Sequence, residues 1–125
     1  MLQRESMMKA LFNELKRNGL MKKVIFRHYM SKDYDPETDR NVDIFIDYKL
    51  DVYLNSFSLK EVDGENVRQN DIRIKFSKED LNIKPDLLDI VIWNGELYEI
   101  INIQSNFNMP VYIIQLRSPR GKDNG

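Results

Sequence analysis

The clearest pattern in the chain is a strict alternation of apolar and polar residues over positions 42–55. Every second residue of this stretch is apolar: Val42, Ile44, Ile46, Tyr48, Leu50, Val52 and Leu54. Successive side chains of a β-strand point to opposite faces, so the pattern predicts a strand with one buried face. Strands usually have about 5–6 residues, and longer ones are typical of small barrels or projecting hairpin arms.

A second apolar region, residues 85–117, predicts a nucleus for the sheet. Two apolar segments meet at Asn94-Gly95, and a loop over residues 104–110 leads to a last strand over residues 111–116. An Asn-Gly pair between apolar segments is a strong hairpin signal, because a type I′ turn needs positive φ at both central positions. We therefore expect a hairpin followed by a third strand.

Shorter patterns add a helix and two strands. Residues 2–18 are expected to be helical, with a narrow apolar face that packs on the same domain or docks on a neighbouring subunit, and Gly19 followed by Leu20 is expected to end the helix. Residues 22–30 and 72–76 alternate as strands, and Ser77 is placed to cap one helical turn. The helix face consists of Met8, Leu11, Phe12 and Leu15.

Two polar segments separate these elements. Residues 31–41 form a connector whose alternating acids resemble a calcium loop, but the required glycine is missing and Pro36 interrupts it, which favours a solvated hairpin tip. Residues 57–70 are too polar for a core and too long for a tight turn, so we interpret them as a candidate functional loop.

The order of elements predicts a mainly β protein of the α+β class, with a small antiparallel β-barrel or sandwich and an N-terminal helix. At 125 residues the chain fits one domain. We expect the helix within residues 1–20, the barrel over residues 22–117 and a flexible tail over residues 118–125.

Composition and charge argue against several classes of function. The net charge is −1, which gives no overall attraction to nucleic acid, and no apolar segment reaches the roughly 18 residues of a membrane span. Cysteine is absent, and no serine motif, glycine-rich phosphate loop or second histidine accompanies His28. We therefore predict a structural role for His28, and a protein that is not an enzyme and needs no metal or other cofactor.

One alternative is a small barrel of the OB or SH3 type that binds single-stranded nucleic acid by stacking bases on aromatic side chains beside basic groups. The chain offers the necessary residue types in Phe26, Arg27, Tyr29, Tyr53, Trp93 and Arg117. The interspersed acidic residues argue against it, and the aromatic residues are more simply explained as core.

Residues 24–117 also resemble the head-closure, or head–tail connector, proteins of tailed bacteriophages. The resemblance rests on the order of several short motifs: Ser-Phe-Ser at 56–58, Glu-Val-Asp-Gly at 61–64, a strand led by Asp71, Pro85 followed by Asp89, Gly95-x-x-Tyr98, and a last strand ending in Arg117. Leu88 and Asn70 stand where that family commonly has glycine before an aspartate. Leu88 implies a differently shaped turn there.

The resemblance implies a virion protein of the phage neck, made in the cytoplasm of the host bacterium. Such subunits assemble as a homo-oligomeric ring below the portal and its adaptor, close the DNA-filled head, and provide a platform for a tail terminator or tail completion protein. Packaged DNA would pass through the lumen without sequence-specific contacts, and no membrane would be involved.

The resemblance also suggests two candidate sites. By position, residues 60–69 would form either a channel or gate loop or a flexible surface loop, and the gate would contain Lys60, Glu61, Asp63, Gly64, Glu65 and Arg68. A partner interface toward the adaptor or the tail would contain Asp33, Asp35, Glu37, Asp39 and Arg40.

Overall fold

A computed structural model describes residues 10, 11, 13–15, 17–105 and 108–119 of the chain. Its six antiparallel strands close into a barrel in the order β1-β2-β3-β6-β5-β4. The strands are β1 (Lys22–Asp35), β2 (Arg40–Ser56), β3 (Ile72–Ser77), β4 (Ile90–Trp93), β5 (Glu96–Gln104) and β6 (Val111–Arg117). The expected mainly β fold is confirmed, and it is a barrel.

Apolar side chains from all six strands fill the barrel interior. Phe26 and Phe76 meet edge to face at its centre, with ring centroids 6.4 Å apart. Both are fully buried, and each such side chain contributes about 1.5–3 kcal/mol by leaving water. The other core members are Val24, Leu50, Val52, Ile74, Leu81, Val91, Tyr98, Ile100, Ile114 and Leu116. The interior is thus a packed core.

The hairpin of β1 and β2 is longer than the barrel. The two strands pair from Lys22 opposite Val52 to Asp35 opposite Arg40, with an irregularity between Tyr29 and Ser31. β4 pairs with β1 only at residues 25–27, and β3 pairs with β2 only at residues 53–56. Residues 29–46 therefore form a two-stranded projection, which we call the arm.

Residues 31–41 form a hairpin tip, as predicted, but the polar connector expected over this whole range is too long. Residues 31–35 and 40–41 are strand, and only residues 36–39 form the turn. Asp35 accepts hydrogen bonds from the Glu37 N–H (3.0 Å) and the Thr38 hydroxyl (3.2 Å). Asp39 has a φ of 55°. Backbone pairing overrides polar composition here, because the charged side chains at 31–33 and 40–43 stay exposed to water on a two-stranded ribbon.

The second hairpin and the strand after it are as predicted. Asn94 and Gly95 have φ angles of 56° and 78°, both positive as a type I′ turn requires. Ser77 caps the short 3-10 helix Lys78–Asp80 by accepting a hydrogen bond from the Glu79 N–H at 3.3 Å. Here local sequence signals and tertiary packing favour the same structure.

The N-terminal helix is described only in part. Residues 10, 11, 13–15 and 17 are helical, Gly19 has a φ of 71°, and the Leu20 N–H donates to the Leu15 carbonyl at 2.9 Å, which confirms the predicted helix end. Leu11 is exposed, contrary to its expected packing on the domain. The described residues do not include positions 2–9, 12 and 16 of the predicted helix, among them Met8 and Phe12. They also do not include residues 120–125 of the predicted tail.

Candidate interaction surfaces

The first surface is the face of the arm that continues the barrel interior. The strand register puts Val42, Ile44 and Ile46 of β2 on the same face as the buried Leu50 and Val52. These three side chains are 37%, 37% and 43% exposed, so the predicted buried face of β2 is wrong for this half of the strand. The reason is that the barrel ends before the alternation does. Contiguous exposed apolar residues of this kind commonly mark interaction sites.

The opposite face of the arm is closed by its own side chains. Tyr29 and Phe45 are cross-strand partners whose rings lie 5.5 Å apart, edge to face. Next to them the Arg27 guanidinium donates two hydrogen bonds to Asp47, at 2.9 and 3.1 Å. These contacts rigidify the base of the arm, so its apolar stripe is presented on a defined scaffold.

The acidic residues predicted as a partner interface gather at the tip of the arm. Asp33, Glu37, Asp39 and Arg40 are exposed, and Asp35 is half-buried. The Tyr34 hydroxyl donates to Asp39, and this hydrogen bond raises the pKa of Tyr34. The structure therefore brings the predicted set together, on a turn held by its own hydrogen bonds.

A buried carboxylate anchors the root of the arm. Asp89 accepts hydrogen bonds from the Tyr29 N–H (2.7 Å) and the Asp86 N–H (2.8 Å). The Nδ1 atom of His28 lies 3.0 Å from both of its carboxylate oxygens. His28 therefore contacts the carboxylate at the root of the arm, and its structural role stays a prediction. Asp89 satisfies a backbone N–H of β1 where β1 no longer pairs with β4.

The second surface is the loop of residues 57–71, which packs on the outside of the barrel. Its last residue, Asp71, is buried and accepts two hydrogen bonds from Arg117, both at 2.8 Å. Gln115 donates to Asp71 at 2.8 Å and to the Asn66 carbonyl at 2.7 Å. The loop is thus bound to the end of β6 through a buried polar network.

This network sets the ionisation of its members. Burial alone would raise the pKa of Asp71, but the hydrogen bonds from Arg117, the Arg68 N–H and Gln115 together outweigh it and lower the pKa. The same contact with Asp71 raises the pKa of Arg117. Both groups are therefore charged at neutral pH.

Two tight turns shape the loop before it reaches Asp71. The N–H groups of Glu65 and Val67 donate to Asp63 at 2.9 and 3.0 Å, which lowers the pKa of Asp63. The Ser58 hydroxyl donates to Glu61 at 2.9 Å and likewise lowers its pKa. The loop is therefore a folded element rather than a floppy connection.

The predicted gate residues occupy different positions within this loop. Lys60, Gly64 and Glu65 are exposed, whereas the carboxylates of Glu61 and Asp63 hold the two turns. Arg68 is half-buried where the loop returns to the barrel. The most exposed apolar side chain nearby, Leu59 at 88%, was not predicted as part of the site.

The residues considered for nucleic-acid binding are not brought together on one accessible surface. Phe26 is fully buried in the core, and Arg117 is buried against Asp71. Arg27 is bound to Asp47, and Tyr29 packs on Phe45. Phe26 and Arg117 are therefore not available to bind a single strand, whereas Tyr53 and Trp93 are half-buried, and nucleic-acid binding stays a prediction.

One structural device, which occurs twice in the chain, was not predicted from the sequence. Asp71 accepts a hydrogen bond from the Arg68 N–H and returns its own N–H to the Arg68 carbonyl. Asp89 does the same with Asp86. Each aspartate directly precedes a strand, β3 or β4. An aspartate three residues after a polar position, and just before an alternating segment, was the signal available in the sequence.

Comparisons with known proteins do not assign this chain to a family. No family model matches the sequence. No curated protein matches it either. Over the described part of the chain, no helix is long and apolar enough to cross a membrane. The case for function therefore rests on the fold, the two surfaces and the sequence motifs.

Proposed function

We propose that this protein is a structural subunit of the neck of a tailed bacteriophage. It forms a ring below the portal and its adaptor, closes the filled head, and provides the platform on which the tail attaches. The observation that carries the proposal is the arm, a rigid hairpin that projects from a packed barrel and exposes the apolar residues Val42, Ile44 and Ile46.

An exposed apolar stripe on a projecting hairpin is suited to assembly. Free in solution it would cost stability and solubility, whereas in a ring each arm can be covered by a neighbouring subunit. Ring closure needs two different surfaces on each subunit. The arm is a candidate for one of these two surfaces, and the loop of residues 57–71 is the candidate gate of the channel.

The motifs behind the resemblance to head-closure proteins coincide with the anchors of the fold. Asp71 and Arg117 bind each other, Asp89 holds the root of the arm, and Gly95 forms the hairpin turn. Leu88 and Asn70 both have negative φ, since Asp39 and Asn94 are the only non-glycine residues with positive φ in the described part of the chain. The two departures from glycine therefore cause no backbone strain.

The decisive experiment is to image purified protein mixed with portal-containing heads that lack it. A ring at the portal vertex, and retention of DNA by the treated heads, is the expected result. Heads that bind no protein at the portal vertex would refute the proposal.

The acidic tip can be tested in the same assay. A variant with Glu37→Lys and Asp39→Asn should bind heads but fail to join them to tails, because the negative charge that the tip presents to the partner is lost. The gate assignment of the loop of residues 57–71 is tested by combining Lys60→Glu with Glu65→Lys, which reverses two exposed charges of the loop. If the loop closes the channel, heads that carry this variant should leak DNA. If that variant retains DNA in heads as the unmodified protein does, the gate assignment is wrong.

A further inference from the structure

A shallow groove lies on the outer face of the barrel where β1, β2 and β4 meet. Ile25 and Ile92 are cross-strand neighbours in its floor, and Lys23 and Lys49 stand beside them. Val24, Leu50, Asn94 and Gly95 also line it, as does Asp51, which has a contact of its own. The groove is thus apolar at its floor, with two lysines against one carboxylate at its rim.

The arm has the complementary chemistry. Five acidic and two basic side chains lie between Met30 and Ile46. On the exposed apolar face Asp33 is paired directly across from Val42, so an acid and a branched apolar side chain are presented together. An apolar stripe beside a carboxylate fits an isoleucine floor beside lysines.

The arm does not reach the groove of its own barrel. The groove lies at the start of β1, at Lys23 and Ile25, and the tip lies at the end of the same strand, at Asp35. At about 3.3 Å per residue, Lys23 and Asp35 are roughly 40 Å apart along a continuous strand. A strand that is paired along its length cannot fold back on itself, so any arm in this groove comes from another molecule.

We propose that the arm of one subunit docks in the β1-β2-β4 groove of a second copy of this chain. The contact is head to tail, because it joins two different surfaces at opposite ends of β1, and repeated contacts of this type form a ring where the rotation between subunits closes. This inference rests on the proposed function, to which it adds the subunit interface. Ile44 of the arm then lies against Ile25 and Ile92 of the next subunit, with Asp33 toward a lysine of the rim.

The chain has no cysteine, which permits a direct test by disulfide cross-linking of the full-length protein. The variant Ile44→Cys is mixed with Ile92→Cys at about 0.1 mM each under mild oxidation. A docked contact provides an effective concentration in the millimolar range, so the mixed disulfide should form about tenfold faster than by random collision. The control partner is Ile113→Cys, since Ile113 is also half-buried on the outer face of the barrel, but on β6.

A preference for Ile92→Cys over Ile113→Cys supports the inference, and equal rates with the two partners overturn it. The charges give a second measurement on the same pair. Asp33→Lys in the arm protein, or Lys23→Glu with Lys49→Glu in the groove protein, should each slow the cross-link. Combining both sets should restore the rate. Slow cross-linking in the combination would contradict the assigned register.

Failure of this inference is distinguishable from failure of the proposed function. Rings at the portal vertex without the cross-link between positions 44 and 92 would refute the interface and keep the neck assignment. The cross-link without any binding to portal-containing heads would keep the interface and refute the neck assignment.

Discussion

Arg117 and Asp71 form a doubly hydrogen-bonded ion pair that ties the last residue of β6 to the residue before β3. Nε and Nη2 of Arg117 each lie 2.8 Å from a different carboxylate oxygen, and the side chains are only 9% and 1% exposed. Removing charges from water is costly, and here the cost is offset by further hydrogen bonds from Gln115 and the Arg68 N–H. The pair therefore fixes the loop of residues 57–71 to the barrel.

Asp71→Asn should strongly destabilise the protein. The substitution leaves the Arg117 guanidinium buried without its counter-ion, and breaking a buried pair in this way typically costs about 3–5 kcal/mol. Denaturant unfolding of the variant and the unmodified protein measures the difference.

The matched control is Asp47→Asn. Asp47 binds Arg27 in the same two-bond geometry, but these side chains are 45% and 36% exposed. Exposed pairs contribute at most about 1 kcal/mol. Equal losses in the two variants would show that burial of the Asp71 pair does not matter to stability.

The same contact predicts an acid-dependent loss of stability. The pKa of the Asp71 carboxyl is lower in the folded protein than in the unfolded chain. The ionised carboxylate therefore adds its full contribution to the free energy of unfolding above the unfolded pKa of about 3.9, and this contribution is lost as the pH falls through the lower folded pKa. The free-energy difference between unmodified protein and Asp71→Asn should be constant from pH 7 to pH 5. It should shrink below about pH 4. A difference that stays constant down to pH 2.5 would contradict the lowered pKa.

The strands and the second hairpin could be predicted because their signals are local. Asn94 and Gly95 determine their turn locally, because both residue types tolerate the positive φ that it requires. The alternation of Ile72, Ile74 and Phe76 indicates which face of β3 is buried. In both places the short-range preference and the packed barrel agree.

The length of the alternation predicted a small barrel or a projecting arm, but the exposure of the arm's apolar face could not be predicted, because alternation says which residues share a face and not whether that face is covered. Ile44 and Leu50 belong to one unbroken pattern, yet only Leu50 lies within the barrel. The length of the covering strands decides this, and those strands are distant in sequence. The Asp71–Arg117 pair was missed for the same reason, since its partners are 46 residues apart.

Asp89→Ala should loosen the root of the arm without unfolding the barrel. The variant removes the acceptor for the Tyr29 N–H and the Asp86 N–H, both bonded at less than 3 Å. Hydrogen exchange should accelerate at these two amides, while Val24 and Ile74 in the core remain protected. Asp80→Ala, which removes an exposed carboxylate of the 3-10 helix, is the control and should leave the exchange at Tyr29 unchanged. Unaltered protection of Tyr29 in the Asp89 variant would mean that the carboxylate does not hold the arm.

The division of β2 into a barrel half and an arm half predicts opposite outcomes for two substitutions on the same face of the strand. Leu50→Ala creates a cavity in the packed core and should cost about 2–5 kcal/mol. Ile44→Ala removes a side chain that is already 37% exposed in the single subunit and should cost less than about 1 kcal/mol, measured by denaturant unfolding at low protein concentration. Because a ring would cover Ile44, the variant Ile44→Asp, which places a charge in that contact, should lose association that Leu50→Ala retains in its folded fraction. If Ile44→Ala is as destabilising as Leu50→Ala in the dilute single subunit, the arm face is covered within the chain itself and is not a docking surface.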